Sequence, residues 1–330
     1  MRETSKTEIL DQTPKSIKKA ANFLNNDELV SFPTETVYGL GASALSNIAV
    51  GKIFSTKGRP VYNPLIIHIS EACEVENWAL IPKVAEILIN NFWPGPLTLV
   101  LTKKHLATRL ASLVTGNHKT LAIRVPMHPT ARALIKEFGS PIAAPSANIS
   151  GKISPTRMQD VLKNLNGKIS AVIEGEKCLI GLESTIIGFD KTNAVLLRPG
   201  GISSEIIEEK IGSKLINNQA STQNLKSIIA PGLMKSHYAP DCKLKLNVDA
   251  PNSKELFLGF GEMPKNSIGL SLSQKGSLTE AASNLFSSLT DIDEMAKLME
   301  ISTISVAPIP SSGLGVAIND RLKRAAAPRT

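Results

Sequence analysis

Lys57 and Arg59 flank a single glycine in the stretch KGRPVYNPLIIH (57–68). If this stretch is extended, residues two positions apart point to the same side, and the two cations would face one anion. Arg124 and Arg198 each lie inside an apolar, strand-like run, LAIRVP and LLRPG, where a charge is costly unless it is paired. An internal salt bridge and a bound ligand explain Arg124 equally well, but the four cations together favour a carboxylate or phosphate site.

Hydroxyl and amide side chains form a second pattern. PSANISG (145–151) places Ser146, Asn148 and Ser150 two residues apart, and Ser154 follows. Such groups beside a glycine are suitable partners for phosphate and ribose. Taken alone, a turn closed by Asx-type hydrogen bonds is the better explanation.

Further polar residues stand at the ends of apolar runs, and each has a structural explanation of its own. Thr34, Thr36 and Tyr38 in SFPTETVYGLG fit strand-end packing. His68 in PLIIHIS fits a core histidine, and Ser184 fits the start of a strand. Each structural explanation is acceptable alone, but it is less satisfactory to suppose that all of them are correct at once.

Several kinds of chemistry lack their motifs. The sequence has no GxxxxGK[ST] phosphate loop, no GxSxG elbow, and only a GLG where a dinucleotide fingerprint would need GxGxxG. Its 5 His and 3 Cys show neither metal-ligand spacing nor a disulfide framework. We therefore expect no protein metal site, no covalent nucleophile and a reducing compartment. The polar N-terminus and the lack of a run of about 20 apolar residues predict a cytoplasmic protein with no membrane partner.

The charge is unevenly distributed. The chain of 330 residues carries a net charge of +8, but the segment from Ser236 onward is balanced, so the whole excess lies before it. An excess of this sign suits a polyanion such as a nucleotide triphosphate or RNA. Taken alone, a solvated lysine surface explains it better.

The pattern of elements predicts a mixed α/β sheet followed by a smaller domain. A length of 330 residues favours two domains, and the Asn, Gln, Ser and Lys-rich stretch after residue 211 reads as a linker. We place the domains at 1–211 and 241–330, with a linker at 212–240. In the first domain we predict helices over 14–25, 45–56, 83–92, 130–138 and 157–165, and strands over 29–32, 64–70, 97–103, 121–126, 141–148, 171–176, 184–189 and 194–200. In the second we predict strands over 256–260, 267–272 and 301–309, and helices over 281–289 and 317–326 in a Rossmann-like alternation.

Nine motifs of the chain, in their order along the sequence, resemble those of a known family. SFPTETVYGLG, KGRPVYNPLIIH, FWPGPLTLVL, LAIRVP, APSANISG, GLESTIIGF and LLRPGGIS resemble the YrdC family of threonylcarbamoyl-AMP synthases over about residues 15–210. KxR followed by SxN is the most specific part. APGLMKSHYAP and GLGVAINDRLKRAA resemble the linker and the end of the long form. The resemblance implies a YrdC-like twisted mixed sheet with a large concave cavity and a Rossmann-like C-terminal domain.

The resemblance also implies an activity. Family members use ATP, L-threonine and bicarbonate to make L-threonylcarbamoyl-AMP and diphosphate, a nucleotidyl transfer. A separate transferase complex then carries the threonylcarbamoyl group to adenosine 37 of tRNA, so tRNA is an indirect partner. Mg²⁺ is expected to accompany ATP, and no tightly bound organic cofactor is expected.

Residue roles are carried over by position. Lys57 and Arg59 would be the catalytic cations at the triphosphate, with Ser146 and Asn148 beside them. Arg124 would hold the threonine carboxylate in a fork. The other expected ATP contacts are Asn63, Thr120, Ser154 and Arg198, the remaining threonine contacts are Thr36, Tyr38, His68 and Ser184, and His237 and Tyr238 would close over the nucleotide.

The linker departs from the family pattern at one point. It reads GLMKSHYAP, where an aromatic residue in the middle is more frequent, although HYAP is intact. We expect the linker and second domain to gate substrate access and diphosphate release.

Two alternatives remain open. The first is an RNA-binding protein that uses its basic domain, which the aromatic content of only 4% disfavours because stacking platforms are scarce. The second is adenylation with carbamoyl phosphate, as in the related hydrogenase-maturation domain. The lack of an attached acylphosphatase or zinc-finger region argues against the second.

Overall fold

A computed structural model of the chain describes residues 6–116, 118–191, 193–217 and 237–328. The helices are α1 (Pro14–Asn25), α2 (Asn47–Lys57), α3 (Val75–Trp78), α4 (Lys83–Phe92), α5 (Ser112–Thr115), α6 (Pro129–Phe138), α7 (Met158–Leu165), α8 (Ser204–Ile211), α9 (Leu278–Leu298) and α10 (Gly315–Ala326). The strands are β1 (Glu8–Leu10), β2 (Val30–Phe32), β3 (Gly39–Ser43), β4 (Ile66–His68), β5 (Ala79–Leu80), β6 (Leu97–Lys103), β7 (Thr120–Arg124), β8 (Ile142–Ala143), β9 (Ala171–Ile173), β10 (Thr185–Asp190), β11 (Asn193–Arg198), β12 (Ile216–Asn217), β13 (Lys243–Leu246), β14 (Leu256–Gly259), β15 (Gly269–Ser271) and β16 (Thr303–Val306).

Helix boundaries follow the local signals of the sequence. Thr13 caps α1 by accepting a hydrogen bond from the backbone N–H of Ser16, and Pro14 takes the first helical position. Gly139 adopts a left-handed φ of 71° and ends α6. These signals are short-range, so the predicted bounds of α1 and α4 coincide with those of the structure.

The first sheet has twelve strands, in the order β1-β9-β2-β3-β8-β4-β7-β6-β10-β11-β12, with β5 paired to β6. The sheet contains parallel pairs, such as β4–β7 and β6–β10, and antiparallel pairs, such as β3–β8 and β6–β7. The predicted mixed sheet is therefore confirmed. Register places His68 of β4 directly beside Arg124 of β7.

The second sheet is smaller and entirely parallel, in the order β13-β16-β14-β15. Helix α9 packs against β14, β15 and β16, and α10 packs against β13. The parallel sheet and its helices confirm the predicted Rossmann-like second domain. None of the described helices is long and apolar enough to cross a membrane.

Some elements differ from the sequence prediction. GLGAS at 39–43 is not among the predicted strands but forms β3, a central strand. A Cβ on Gly41 would lie 2.7 Å from the ring of Phe32, so the glycine is required by packing although it disfavours a strand locally. The strand expected at 141–148 shrinks to Ile142–Ala143, because the following residues form the loop around Ser146.

The other differences lie outside the central strands. Helix α9 extends well past the predicted 281–289. The other elements without a predicted counterpart are β1, α3, β5, α5, α8, β12 and β13. Most of the predicted linker, 218–236, lies outside the described residues, and so does most of its GLMKSHYAP motif. Strand β12 continues the first sheet to residue 217, beyond the boundary predicted at 211. The domain bounds themselves stay a prediction.

Candidate anion-binding active site

A cavity in the first domain collects most of the polar residues singled out above. The empty space between its walls amounts to about 620 Å³, which includes the solvent at its open side. The charged and polar side chains that line it are Arg59, Arg124, Arg198, Glu183, His68, His237, Thr34, Thr36, Ser146, Ser184 and Tyr238.

Arg124, at the carboxyl end of β7, is both paired and directed to the cavity. Its Nη2 donates to Oε1 of Glu35 at 2.7 Å, Nη1 to Oγ1 of Thr36 at 2.9 Å, and Nε to the carbonyl of Gly95 at 3.2 Å. The internal salt bridge weighed against ligand binding is thus present. A guanidinium has five N–H donors, so two remain for a ligand.

Glu35 was not predicted, although an acid between two threonines in a buried run signals a need for a partner. Its side chain is 3% exposed. Burial alone would raise the pKa of this carboxyl, but the charge and hydrogen bond of Arg124 outweigh burial and hold the pKa below its usual value. Glu35 therefore fixes the orientation of Arg124.

Lys57 and Arg59 do not lie on an extended segment, so the condition under which alternate positions would point both cations at one anion is not met. Lys57 is the last residue of α2, and Gly58 ends the helix with a φ of 60°. The buried Lys57 ammonium donates to the carbonyl oxygens of Ser146 and Asn148. Burial lowers the pKa of Lys57 well below its usual value. Lys57 thereby ties α2 to the loop that follows β8.

Arg59 points into the cavity from the turn after Gly58. Its Nε donates to the carbonyl of Asn63 at 3.0 Å and its Nη2 to the carbonyl of Pro64 at 2.8 Å. Burial, and then the nearby charge of Arg198, lower the pKa of Arg59 to about 10. A guanidinium whose pKa is lowered by a second guanidinium nearby is a favourable place for an anion.

Ser146 and Asn148 of the SxN motif have different environments. Ser146 lines the cavity and forms an isolated bridge with Gly39. The Asn148 amide donates to the carbonyls of Ile149 and Lys152, both at 2.8 Å, so it closes a turn as the structural alternative supposed. Among the described lining residues Asn148 is absent.

Ser184 and His68 complete the wall beside Arg124 and Arg198. Arg198 Nη2 donates to the carbonyl of Ser184 at 2.9 Å, and the hydroxyls of Ser184 and Thr98 lie 2.7 Å apart. Burial, reinforced by the charge of Arg124, lowers the pKa of His68 to about 3. His68 is therefore a neutral imidazole at physiological pH.

Three predicted contacts lie away from the cavity. The Tyr38 hydroxyl donates to the carbonyl of Gly175 at 3.1 Å and its ring is fully buried in the core. Asn63 touches Arg59 only through its carbonyl, from outside the lining. Thr120 begins the strand that Arg124 ends, about 13 Å away at ~3.3 Å per residue, and lines a separate cleft.

His237 and Tyr238 close the cavity from the end of the linker. The His237 N–H donates to the carbonyl of Arg324 at 3.2 Å, and the two rings meet edge to face at 4.0 Å. Tyr238 also stacks on Phe286 of α9, with centroids 5.3 Å apart. Burial lowers the pKa of His237 to about 3. Both residues are thus anchored to the second domain.

Glu183 and Arg321 form an ion pair that was not predicted. Arg321 Nε donates to Oε2 of Glu183 at 2.9 Å, and Ser154 Oγ donates to Oε1 at 2.7 Å. Burial would raise the pKa of Glu183, but Arg321, Arg198 and Ser154 lower it to about 2. Ser154 therefore contacts Glu183 and does not itself line the cavity. A glutamate directly before Ser184 was the available signal.

The chemical character of the site is that of an anion-binding cavity. Three guanidiniums face one space, and the carboxylates nearby are each held by an arginine. In the described part of the chain, no group of three or more His, Cys, Asp and Glu side chains could hold a metal ion. Such a cavity binds carboxylates and phosphates and stabilises negative charge.

The buried histidines make stability depend on pH. The folded pKa values of His68 and His237, about 3, lie below the 6.5 of a free imidazole, so the folded state binds fewer protons. Their contribution is complete above about pH 6.5 and is lost as the pH falls toward 3, with a slope of about 1.4 kcal/mol per pH unit for each residue. We expect His68→Gln to lose less stability than the wild type between pH 7.5 and 5, measured by denaturant unfolding. The exposed His105→Gln variant is the control, and equal losses in all three proteins would contradict the assignment.

The chain is similar to known proteins over nearly its whole length. Residues 22–200 match the family model described as Telomere recombination, and residues 202–327 match the model of the threonylcarbamoyl-AMP synthase C-terminal domain. The threonylcarbamoyl-AMP synthase of Bacillus subtilis is 39% identical, covering 98% of this chain and 96% of that protein. The one from Pyrococcus abyssi is 41% identical, covering 94% and 93%. The crystal structure of P. abyssi Sua5 complexed with L-threonine superposes with a TM-score of 0.86 at 38% identity, covering 97% of this chain and 98% of that one. The chain therefore belongs to the threonylcarbamoyl-AMP synthase family.

Proposed function

We propose that this enzyme catalyses nucleotidyl transfer, making L-threonylcarbamoyl-AMP and diphosphate from ATP, L-threonine and bicarbonate. The convergence of Arg59, Arg124 and Arg198 on one cavity is the observation that carries the proposal. Both substrates are anionic at the groups that must be held, the amino-acid carboxylate and the triphosphate. The near full-length similarity to threonylcarbamoyl-AMP synthases supports the same reading.

Threonine binds on the Arg124 side of the cavity in this proposal. The two N–H groups that Arg124 has left form a fork for the carboxylate, while Glu35 and Thr36 hold the guanidinium still. His68 and Ser184 line the same wall. A relative of similar fold was solved with L-threonine, which supports this assignment.

ATP binds on the side of Arg59, Arg198 and Ser146. Their guanidiniums and hydroxyl face the triphosphate, and Mg²⁺ enters with it as the MgATP complex. Lys57 acts through the loop that it holds by two carbonyl oxygens. Asn148 and Ser154 support the site from behind. Nothing in the geometry supports an ATP contact for Thr120.

The reaction needs no covalent nucleophile from the protein. The threonine amine combines with CO₂ from bicarbonate to give a carbamate, releasing water. A carbamate oxygen then attacks the α-phosphorus, and the bond to the bridging oxygen breaks as diphosphate leaves. The carbamate is already an anion, so the arginines need only align the groups and stabilise the charge on the phosphates. Enclosure by His237 and Tyr238 protects the carbamate from water.

The product identifies the reaction. Purified protein is incubated with ATP, Mg²⁺, bicarbonate and L-threonine, and threonylcarbamoyl-AMP is sought by mass spectrometry. We expect it with threonine, far less with serine, and none without an amino acid. Tight, salt-sensitive tRNA binding without any adenylate would instead favour the RNA-binding alternative. Delivery to tRNA through a separate transferase complex is part of the proposal, and reconstitution with that complex would test it.

Arg124 is expected to determine threonine binding. Arg124→Lys keeps the charge but loses the fork, so the KM for threonine should rise at least about ten-fold, the cost of a charge-assisted hydrogen bond of ~1.5–3 kcal/mol. The KM for ATP should change little. Arg132→Lys, in a surface pair with Glu71, is the matched control. A larger effect on ATP than on threonine would reverse the assignment of the two halves.

The linker and second domain are expected to act as a gate. A chain ending at residue 211 lacks His237 and Tyr238, so its cavity stays open to water and turnover should fall at least about ten-fold. Turnover is measured per folded molecule by diphosphate release, with the unfolding transition of the truncated chain as the control. Undiminished turnover in a folded truncated chain would refute the gating role.

A further inference from the structure

Glu183 is an unexpected residue in a cavity for a polyanion. Among the described residues that line it, Glu183 carries the one carboxylate, beside three guanidiniums. An unbalanced negative charge here would repel a triphosphate and compete with it for the arginines. The side chain is 7% exposed, so water screens it little.

The carboxylate is neutralised from the second domain. Arg321 of α10 donates through Nε to Oε2 of Glu183 at 2.9 Å, and its side chain is fully buried. Its Nη1 donates to Asp320 at 2.8 Å, and its guanidinium carbon lies 5.5 Å from the centre of the Tyr238 ring. Arg321 itself is outside the cavity lining, so it reaches the site through Glu183.

Arg198 is the cation that Glu183 would otherwise attract. The charge of Arg198 helps to lower the pKa of Glu183. Burial lowers the pKa of Arg198, and the charge of Glu183 opposes this effect. Two other groups also face Glu183, namely His237 and Tyr238 at the end of the linker. Neither is a cation at neutral pH, so Arg321 and Arg198 are the described cations that share this carboxylate.

Other ion pairs also connect the two domains. Arg157, before α7, forks onto Asp291 of α9 at 2.6 and 3.0 Å. Lys163 pairs with Glu294 of α9, and Lys152 pairs with Asp241. These pairs lie on the surface of the domain interface. The two domains are thus joined by ion pairs that do not involve Arg321. Contact between the domains alone does not explain why Arg321 is buried behind the cavity wall.

We propose that Arg321 is a positioning residue for the ATP half of the site, supplied by the second domain. By pairing with the Glu183 carboxylate, Arg321 neutralises the negative charge in the wall that faces the phosphates, and it keeps Glu183 in place to accept the Ser154 hydroxyl. The second domain thus completes the electrostatics of the cavity as well as covering it. This inference rests on the proposed function, because it assumes that ATP occupies the cavity.

A charge-removal cycle tests the inference. The dissociation constant of MgATP is measured by calorimetry for the wild type, Arg321→Met, Glu183→Gln and the double variant, with the KM for threonine measured in parallel. We expect Arg321→Met to weaken ATP binding at least about ten-fold, because one desolvated negative charge is left beside the phosphates. The double variant should recover to within about three-fold of the wild type, since the glutamine is neutral and still accepts from Ser154. The KM for threonine should change by less than about three-fold throughout.

Two further variants keep the result interpretable. Lys323→Met removes a charge from the exposed face of the same helix and should bind ATP as the wild type does. Arg321→Lys retains the charge and should stay within about three-fold, which provides a test even if Arg321→Met does not fold.

The outcomes separate the inference from the proposed function. If the wild type binds no ATP, the proposed function fails. If the wild type binds ATP and Arg321→Met binds it equally well, only the inference fails. Equal weakening in Arg321→Met and the double variant would also overturn it, because Arg321 would then act on ATP or Tyr238 without Glu183. A ten-fold loss in Arg321→Lys would count against it in the same way.

Discussion

Burial of positive charge is the constraint on which the rest of this structure depends. Lys57, Arg124, Arg198 and Arg321 are at most 5% exposed, and each must replace its lost hydration by protein contacts. Backbone carbonyls accept from Lys57, and buried carboxylates pair with Arg124 and Arg321. The loops around the cavity take the shapes that bring these oxygens to the cations. Fixed charges of this kind need no reorganisation when an anion arrives, which is the property that transition-state stabilisation requires.

The two ion pairs differ in where their partners come from. Arg124 and Glu35 both belong to the first domain, whereas Glu183 and Arg321 join the two domains. Apolar packing also joins the two domains, since Val37 and Leu182 of the first domain share a core with Tyr238 and the residues of the second sheet. The interface between domains and the wall of the cavity are therefore one continuous structure.

The sequence was informative wherever the governing interactions are local. Capping at Thr13 and glycine at 139 located helix ends, and the alternation of strands and helices predicted both sheets. It also located the cations of the site, because arginines inside apolar runs are costly enough to be noticed. It failed at β3, where the ring of Phe32 over Gly41 overrides strand propensity, and at Glu35 and Arg321, whose partners are 89 and 138 residues away along the chain. Long-range pairing of this kind has no local signature. Motif order placed Thr120 at the site, whereas strand geometry puts it at the far end of β7.

Arg321 follows Glu183 by 138 residues along the chain, and this separation has a consequence for biosynthesis. Domains generally fold in order of synthesis, the N-terminal one first, so the first domain can form while α10 is still inside the ribosome. During that interval the cavity contains Glu183 without its counter-charge and lacks its cover of His237 and Tyr238. The site is complete only after α10 has emerged. A translation product that stops before α10 would therefore carry Glu183 without the arginine that donates to it.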